Sequence, residues 1–521
     1  VIALLVWLCT WGLVPLDAGW TALWPSAVAL ISVFLLNRAI SGLLLGASAG
    51  LILIANGNPL AALAIGVMDQ LVPALGSAWN LSVLMFTLLL GGFAALLEKG
   101  GGVQALTRGW LGAKAHGGRH VQWSAYGLGL VCFFDGLANS MLVGKSISPM
   151  AERVGVSRQK LAYIVDSTSS AVACVAVIST WIAYQLSMIR EGLAQADVAG
   201  NPFGLFLGSI PFNFYCWFTL VLLAVVIARN WNIGPMRAAE KGAGTADLET
   251  AAPPDQSSLP AVLPLLFLIV GLLVGLYIDG VEGAWTPLSF EKISTAFGRA
   301  NAASVLVIVS AAACVLAYAL NAALIKKAGG NAGVVFAGGV LKLLKPVLIL
   351  VSAWLLSGVL KELKATEVLT ALLMGNLPAA FFPALVFLVG ALISFSTGTS
   401  WGTMGILMPL TLPVALNYSD GAIAPQIHGT IAAVFSGAVF GDHCSPFSDT
   451  TIVSSISCGI EPMDHVRTQM PYALIAAGAA ILLGFLPVGQ GLDPFVALAL
   501  GAGALVAAPF VFRKRGRDET A

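Results

Sequence analysis

The stretch "VFGDHCSPFSDTTIVSS" (439–455) places two aspartates, one histidine and six hydroxyl-bearing side chains in an otherwise apolar chain. No charged side chain occurs in residues 368–419. Pro446 makes a continuous helix through the stretch unfavourable, because proline removes a backbone hydrogen bond and disturbs the preceding turn. We therefore predict an unwound centre between two half-helices. The residues expected to converge there on one small volume are Asp442, Ser445, Asp449 and Thr450.

The composition excludes an ordinary soluble protein. Hydrophobic residues make up 58% of the chain and charged residues 10%, with a mean hydropathy of +0.90, whereas soluble domains carry roughly 25% charged residues. Segments such as 211–228 and 259–278 are apolar enough to cross a bilayer as helices. The alternation typical of outer-membrane barrels is absent, so the sequence predicts an all-α polytopic membrane protein. The net charge of +1 argues against a nucleic-acid partner.

Apolar segments recur along the chain and predict about 10–14 membrane segments. We expect the first of them to be a membrane helix and not a cleaved signal. A further stretch, 59–79, is a weaker candidate because Asp69 and Pro73 interrupt it. The apolar segments are 1–16, 20–37, 39–56, 81–97, 121–149, 161–189, 211–228, 261–279, 300–325, 345–360, 379–416, 427–458, 470–488 and 494–512.

A polar, Pro/Gly-rich stretch at 230–260 divides the chain into two halves and indicates a flexible linker. We expect a first transmembrane half at 1–229, a second at 261–512 and a basic tail at 513–521. Lys and Arg are enriched in the linker and the tail, which predicts that both are cytoplasmic. Seven apolar segments lie between them. One interrupted segment is then a re-entrant hairpin, although the sequence does not say which.

The two halves share a plan that suggests inverted repeats with broken helices and re-entrant hairpins. Each half contains two apolar segments with polar, glycine-bearing interruptions, which is typical of the midplane site of a transporter. Aligning the halves pairs Asp166 with Asp442. The interrupted stretches are 132–144 and 165–181 in the first half, and 394–406 and 441–455 in the second.

Asp135 is the only charged residue between Arg119 and Lys145. A carboxylate at membrane depth costs at least about 2.5–3.5 kcal/mol, so such a residue is a candidate functional group. The nearby Asn139 could share its role, and unwound backbone after Gly136 could offer carbonyl ligands. Alternatively, Asp135 caps a helix or pairs with Lys145.

Asp166 is the next isolated carboxylate, and four hydroxyl-bearing residues follow it directly. Small hard cations prefer oxygen ligands, so this cluster could supply both charge and neutral oxygens. Alternatively, the hydroxyls satisfy freed backbone groups in a kinked membrane helix. The uncharged stretch "STGTSWGTMG" (396–405) has the same two interpretations: a broken helix that contributes oxygens, or close packing of small residues.

Zinc is an alternative at the adjacent His443 and Cys444. Neighbouring residues rarely ligate one metal together, and the sequence contains neither an HExxH motif nor a paired CxxC. The absence of a nucleophile–base motif likewise argues against an intramembrane enzyme.

At these residues the sequence resembles the NhaC-type Na⁺/H⁺ antiporters. "GDHCSPFSDTTIVSS" (441–455) is similar to the family signature, in which GDHCSP is followed by Ile or Phe and then SDTT. The segments "KLAYIVDSTSSAVACVAVISTW" (160–181) and "SFSTGTSWGTMGILMP" (394–409) resemble two further family motifs, in the expected order. Two positions depart from the pattern: Asp135 stands alone where members often carry two aspartates, and Ala171 replaces a usual proline.

The resemblance implies a secondary carrier of the ion-transporter superfamily. We expect a multi-pass antiporter of the bacterial cytoplasmic membrane that exchanges Na⁺ or Li⁺ for H⁺, with no cofactor beyond these coupling ions. An alternative is a Na⁺-coupled carrier of a small organic acid or amino acid, since the family also contains malate/lactate antiporters. Oligomeric state stays open, with a homodimer among the options.

The residues predicted to form the site combine carboxylates with neutral oxygens. A buried carboxylate favours its protonated form and a bound cation favours the ionised form, so protons and sodium ions would compete. The predicted ion- or substrate-binding residues are Asp135, Asn139, Asp166, Ser167, Thr168, Ser169, Thr397, Thr399, Ser400, Asp442, Ser445, Asp449 and Thr450, with Asp166, Asp442 and Asp449 as Na⁺ ligands.

Overall fold

The structure, a computed structural model, consists of α-helices joined by short connections. The described part of the chain contains no β-strand, which confirms the predicted all-α class. Helices suit a lipid environment because they satisfy their own backbone polar groups. The residues that the structure describes are 2–14, 19–36, 38–102, 105, 117–133, 135–244, 257–283, 285–374, 377–419, 424–446 and 448–518.

Helices of very different lengths make up the first half. Within the stretch at 59–79, the weaker candidate in the sequence, Pro59–Gly76 forms one helical run, and its π-helical segment, Ile65–Leu71, contains Asp69. The helices are α1 (Ile2–Leu13), α2 (Trp24–Leu36), α3 (Ala39–Ile54), α4 (Pro59–Ala64), α5 (Val72–Gly76), α6 (Ala78–Lys99), α7 (Gly118–Val131), α8 (Gly136–Arg153), α9 (Arg158–Val175), α10 (Thr180–Gln195), α11 (Pro202–Ser209), α12 (Phe214–Arg229) and α13 (Gly234–Lys241).

The second half follows the linker. A second π-helical segment, Ala480–Phe485, joins two of its helices into one run. The helices are α14 (Leu259–Gly280), α15 (Phe290–Arg299), α16 (Ala302–Lys327), α17 (Ala332–Lys342), α18 (Leu344–Glu362), α19 (Ala365–Met374), α20 (Phe382–Thr397), α21 (Ser400–Tyr418), α22 (Pro425–Cys444), α23 (Asp449–Cys458), α24 (Pro462–Ala479), α25 (Leu486–Gly489) and α26 (Pro494–Asp518).

Among the described residues, eight helical runs are long and apolar enough to cross a membrane, or nine if the bent pair α9–α10 counts as one span. The chain is therefore a multi-pass membrane protein. This number is below the predicted 10–14 segments because breaks divide several apolar stretches into shorter helices. The clearest cases are 121–149 and 427–458.

Four helix breaks lie at the predicted interruptions. At one of them Gly398 adopts φ +62°, a left-handed conformation that glycine reaches without a steric penalty. At another, Ser445 is extended, as expected for a residue that precedes proline. The breaks lie between the end of α7 (Val131) and the start of α8 (Gly136), at 176–179 (α9/α10), at 398–399 (α20/α21), and between the end of α22 (Cys444) and the start of α23 (Asp449).

Two of the broken segments are re-entrant hairpins. In the α7–α8 pair, a Cβ atom on Gly118 at the start would lie 3.0 Å from Val156 Cγ2, just beyond the end. In the α20–α21 pair, the Tyr418 hydroxyl at the end donates to the Leu377 carbonyl, 2.8 Å away, just before the start. The ends of each pair therefore lie together, and the break forms the tip.

The two hairpins enter from opposite ends of the molecule. Glu240 of α13 accepts hydrogen bonds from the backbone and hydroxyl of Ser157, so the open end of the first hairpin lies beside the linker helix. We call this end of the molecule the linker face. The open end of the second hairpin packs against Gly489 at the far end of the α24–α25 run, where Ala380 leaves no room for a side chain.

The other two broken segments, α9–α10 and α22–α23, cross the molecule in opposite directions. The α9–α10 pair starts at the linker face and bends by 46° at its break. The α22–α23 pair ends there, since the Gly459 carbonyl after α23 accepts a hydrogen bond from Arg158 at the start of α9. Hairpins and broken crossings of opposite direction make the two halves inverted repeats, as predicted.

The helices that follow the breaks in one half pack on helices that follow the breaks in the other half. Helix α8 packs on α23, and helix α10 packs on α21. The predicted pairing of Asp166 with Asp442 is nevertheless wrong. Asp166 lies in the middle of α9, whereas Asp442 lies in the last turn of α22 before the break, so the two residues do not occupy equivalent positions.

The linker begins at the same face of the molecule at which the C-terminal helix α26 ends. The Arg229 guanidinium at the end of α12 lies 4.6 Å from the ring centroid of Phe510 in the last part of α26. The hairpin that the sequence required between linker and tail is segment 379–416. The other six predicted segments then give the even number of crossings that a shared face requires. Linker residues 245–256 and tail residues 519–521 lie outside the described part of the chain.

Candidate functional site

The four helix breaks meet at one small cavity of about 70 Å³. After each break, the first residues of the following helix line the cavity, so the N-termini of α8, α10, α21 and α23 all face it. Lys345, at the start of α18, lines another side. Six of the predicted site residues line this cavity: Asp135, Thr399, Ser400, Asp442, Asp449 and Thr450.

Asp442 contributes a desolvated carboxylate. Its residue exposure is 2%, and its Oδ1 accepts a hydrogen bond of 2.9 Å from the Ser448 hydroxyl. Its Oδ2 is buried and has no hydrogen-bond partner among the described residues. A buried charged oxygen without a partner is unfavourable unless a proton or a cation binds it. Asp442 therefore brings to the cavity a buried carboxylate oxygen that has no hydrogen-bond partner among the described residues.

Residues of the α22/α23 break fix Asp442 in place. The Thr451 hydroxyl donates to the Asp442 backbone carbonyl, and the Ser448 hydroxyl lies 3.1 Å from the Thr450 hydroxyl. These contacts join the last turn of α22 to the first turn of α23 across Pro446. The carboxylate is thus held where the backbone is unwound.

Asp449 and Lys345 form the exposed edge of the cavity. Lys345 Nζ lies 3.0 Å from Asp449 Oδ2, and both side chains are about three-fifths exposed, at 62% and 61%. An exposed ion pair contributes little to stability. Its charges still influence what enters a narrow cavity beside them.

Asp135 lies at the N-terminus of α8. Its backbone carbonyl accepts a hydrogen bond of 2.9 Å from the Asn139 amide, which places Asp135 in the capping position of this helix. This agrees with the capping alternative. Asp135 is also buried and lines the cavity, so the same residue occupies the helix cap and contributes to the cavity wall.

Asp166 belongs to a separate, fully buried cluster behind the cavity. Gln469 Nε2 donates to Asp166 Oδ2 at 2.7 Å, and the Ser454 hydroxyl donates to Oδ1 at 3.2 Å. His465 Nε2 lies 3.3 Å from Oδ2. In contrast to Asp442, both carboxylate oxygens of Asp166 have protein partners.

The three carboxylates predicted as Na⁺ ligands therefore do not meet at one place. Asp166 does not line the cavity that contains Asp442 and Asp449, because it lies in the middle of α9 and faces α23 and α24. Within the described ranges, no three His, Cys, Asp or Glu side chains come close enough together to hold a metal ion.

Gln469 links the Asp166 cluster to a second polar chain. Its amide also donates to the His443 carbonyl at 2.9 Å. The His443 ring lies between two hydroxyls, with Nε2 at 3.0 Å from Ser170 and Nδ1 at 2.9 Å from Tyr215. Both ring nitrogens thus have protein partners, and the zinc alternative gains no support from this geometry.

The remaining predicted residues also lie outside the cavity. Hydroxyls of Thr168, Ser169 and Thr397 donate to carbonyls of their own helices, which satisfies backbone groups as the structural alternative proposed. The Asn139 amide joins α8 to its neighbours by donating to the carbonyls of Gly129 and Thr168. Buried Ser167 and Ser445 complete this set.

Sequence reasoning missed Lys345, Ser454, His465 and Gln469. The predicted segment 470–488 begins too late, since α24 begins at Pro462. Charged residues around His465 resemble a loop, yet His465 and Gln469 are four apart on one buried face of the helix. That spacing of four was the sequence signal that could have identified His465 and Gln469.

The comparisons with known proteins identify the family. The profile of the Na⁺/H⁺ antiporter family matches residues 172–488, which include three of the four breaks. The chain belongs to this family. The resemblance that the three motifs indicated is thereby confirmed, and this antiporter family consists of membrane transporters.

Individual relatives of this Na⁺/H⁺ antiporter family member also match the chain, over different shares of its length. An uncharacterized protein of Haemophilus influenzae is 31% identical over 84% of this chain and 84% of its own length. The malate-2H⁺/Na⁺-lactate antiporter of Bacillus subtilis is 33% identical over 22% of this chain and 24% of its own. The YdaH transporter of Alcanivorax borkumensis shares the fold, with a TM-score of 0.60 over 83% of this chain and 90% of that one at 14% identity.

Proposed function

We propose that this chain exchanges Na⁺, or Li⁺, for H⁺ across the bacterial cytoplasmic membrane, with the cavity at the four helix breaks as the cation site. The observation that supports this most directly is Asp442, a buried carboxylate whose Oδ2 has no hydrogen-bond partner among the described residues. A cavity of about 70 Å³ has room for a small ion and a few waters.

Competition at Asp442 would couple the two fluxes. When the carboxylate is protonated, its charge is removed and burial is tolerated. When it is ionised, a small cation replaces the proton as the partner of Oδ2. Asp135 and the hydroxyls of Thr399, Ser400 and Thr450 would supply further oxygens, which hard cations prefer.

Asp166 is a weaker candidate for this exchange because its charge already has partners. Amide and hydroxyl donors from Gln469 and Ser454 stabilise its ionised form without a cation. In this proposal Asp166 connects α9 to α23 and α24. It fixes the relative position of elements from both halves next to the cavity.

Exchange is tested in everted membrane vesicles with an acid interior. Adding Na⁺ or Li⁺ should dissipate the proton gradient, and a choline salt at equal ionic strength is the control. If no alkali cation alkalinises the interior, although purified protein takes up an organic solute in a Na⁺-dependent way, the proposal of cation–proton exchange is wrong.

A Na⁺-coupled carrier of an organic acid or amino acid is the second candidate, favoured by the positive character of parts of the cavity. Four helix N-termini and Lys345 face it, and both features attract carboxylates. The relative from Bacillus subtilis is a malate/lactate antiporter. Against this candidate stands the small cavity, because sites for larger ligands usually measure about 300–1,000 Å³. A solute screen in proteoliposomes, with and without a Na⁺ gradient, separates the two candidates.

A further inference from the structure

A second, larger cavity of about 740 Å³ lies at the linker face, away from the helix breaks. Its walls come from the end of α12, from α13 and from the facing parts of α24 and α26. The cationic side chains that line it are Arg229, Arg237 and Lys241. None of them lines the cavity at the helix breaks.

Among the residues that the structure describes, the cationic groups of this pocket form no ion pairs with carboxylates. Within the described residues, Arg229, Arg237 and Lys241 make no ion pair within 4.0 Å. Glu240 is the one acidic residue among the described residues of the lining. Its Oε1 accepts hydrogen bonds from the Ser157 backbone and hydroxyl, so that this carboxylate is already engaged.

Local contacts hold both arginines of the pocket in place. The Arg237 Nε donates to the Asn232 carbonyl at 3.2 Å, and the Arg229 guanidinium stacks over the Phe510 ring. Three exposed cationic groups therefore face one concave space. A phosphate group suits this arrangement, because arginine guanidinium donors match phosphate oxygens.

Exposed apolar side chains lie next to the pocket on two of its helices. On α26, Phe510 at the pocket is half exposed, and Val506 and Leu500 continue the exposed apolar surface away from it. On the α24 side, Leu474 and Leu482 are exposed beside the pocket residue Ile475. In a membrane protein, such surfaces contact acyl chains.

We propose that this pocket binds the phosphate headgroup of an anionic phospholipid, with its acyl chains lying along α24 and α26. A soluble phosphate compound would use the cationic groups but not the apolar surface. Basic pockets between membrane helices, at the membrane surface where anionic lipids are enriched, have the chemistry to hold such headgroups. This inference does not depend on which solute the chain transports.

The test compares delipidated, detergent-purified variants by thermal unfolding with added phosphatidylglycerol, phosphatidylcholine or glycerol 3-phosphate. Phosphatidylglycerol should raise the melting temperature of the wild type more than phosphatidylcholine does. The double variant R229Q/R237Q should lose at least half of this difference. The matched control K326Q/K327Q removes two exposed lysines near the start of α14, which also lies at the linker face. This control should keep the difference in melting temperature between the two phospholipids.

Three outcomes would overturn the proposal: R229Q/R237Q keeps the full phosphatidylglycerol effect, K326Q/K327Q loses as much, or glycerol 3-phosphate alone reproduces the effect. The last outcome would assign the pocket to a soluble anion. If R229Q/R237Q fails to fold, Lys241→Gln at the exposed rim replaces it. Native mass spectrometry should then show fewer retained phosphatidylglycerol molecules for Lys241→Gln than for the wild type, and equal retention rejects the proposal.

Discussion

The Gln469 side-chain amide donates to the Asp166 carboxylate over 2.7 Å, and both side chains are buried. This contact joins α9 of the first half to α24 of the second. It also gives the Asp166 carboxylate a partner within the protein, whereas one oxygen of Asp442 has no hydrogen-bond partner among the described residues. The two aspartates that look alike in the sequence therefore have different hydrogen-bond environments in the structure.

Replacing Asp442 with Asn should reduce exchange to background. Asparagine keeps the size of the side chain, but it has no negative charge with which to take up a proton or attract a cation. Asp442→Glu keeps the charge and should retain some exchange with an altered apparent affinity for Na⁺. The measurement is Na⁺-dependent alkalinisation in proteoliposomes with purified variants.

A matched control for this change is Asp493→Asn. Asp493 is exposed and caps α26 through the amides of Phe495 and Val496, and asparagine caps about equally well. It should transport like the wild type. Exchange by Asp442→Asn above about a tenth of wild type, a barrier change of only ~1.4 kcal/mol, would contradict the coupling role.

Replacing Gln469 with Leu should destabilise the protein. The change removes a buried donor to Asp166 and leaves that carboxylate less satisfied, at a cost of about 1.5–3 kcal/mol for a hydrogen bond to a charged group. A lower melting temperature of the detergent-purified protein is expected. Gln490→Leu, at an exposed position, is the control and should melt near the wild type. Equal melting of the two variants would show that the Asp166 contact contributes nothing.

Replacing Lys345 with Gln should lower the apparent KM for Na⁺ by roughly threefold or more, because a positive charge beside the cation site is removed. The melting temperature should change little, since the ion pair with Asp449 is exposed. The effect on KM should shrink at high ionic strength. An unchanged or higher KM for Na⁺, together with lost uptake of an organic acid, would instead favour the second candidate.

Thiol labelling tests the orientation in the membrane. With the native cysteines removed, a cysteine in place of Ala243 in the linker should resist impermeant reagents in intact cells, because the Lys and Arg bias places the linker in the cytoplasm. A cysteine in place of Gln490, beyond the far end of α24–α25, should react. The reverse pattern would invert the predicted orientation while leaving the fold unchanged.

Much of the fold was predictable because local residue types, glycine and proline, determine where its helices break. Gly398 and Pro446 interrupt apolar runs, and both positions are breaks in the structure. The distinction between a hairpin and a crossing was not predictable, since it depends on which distant residues meet, such as Tyr418 with Leu377.

The site was predictable only in part for the same reason. Isolated carboxylates such as Asp442 stand out in an apolar sequence, but their partners do not. Lys345 comes from a helix about 100 residues away from Asp449, and nothing in the local pattern connects the two. The hydroxyls of Thr168 and Thr397 looked like cation ligands, whereas both donate to their own helices.

The packing of α8 against α23 has a consequence for biosynthesis. The first hairpin is complete at Arg153, but its partner helix begins only at Asp449. At ordinary rates of translation the ribosome needs roughly 15–60 s to make the intervening chain. During that interval the first hairpin can pack on α9, which follows it directly, but it lacks α23. Until α23 has been made, the insertion machinery has to shield the polar residues of the hairpin, or the hairpin has to enter the membrane late.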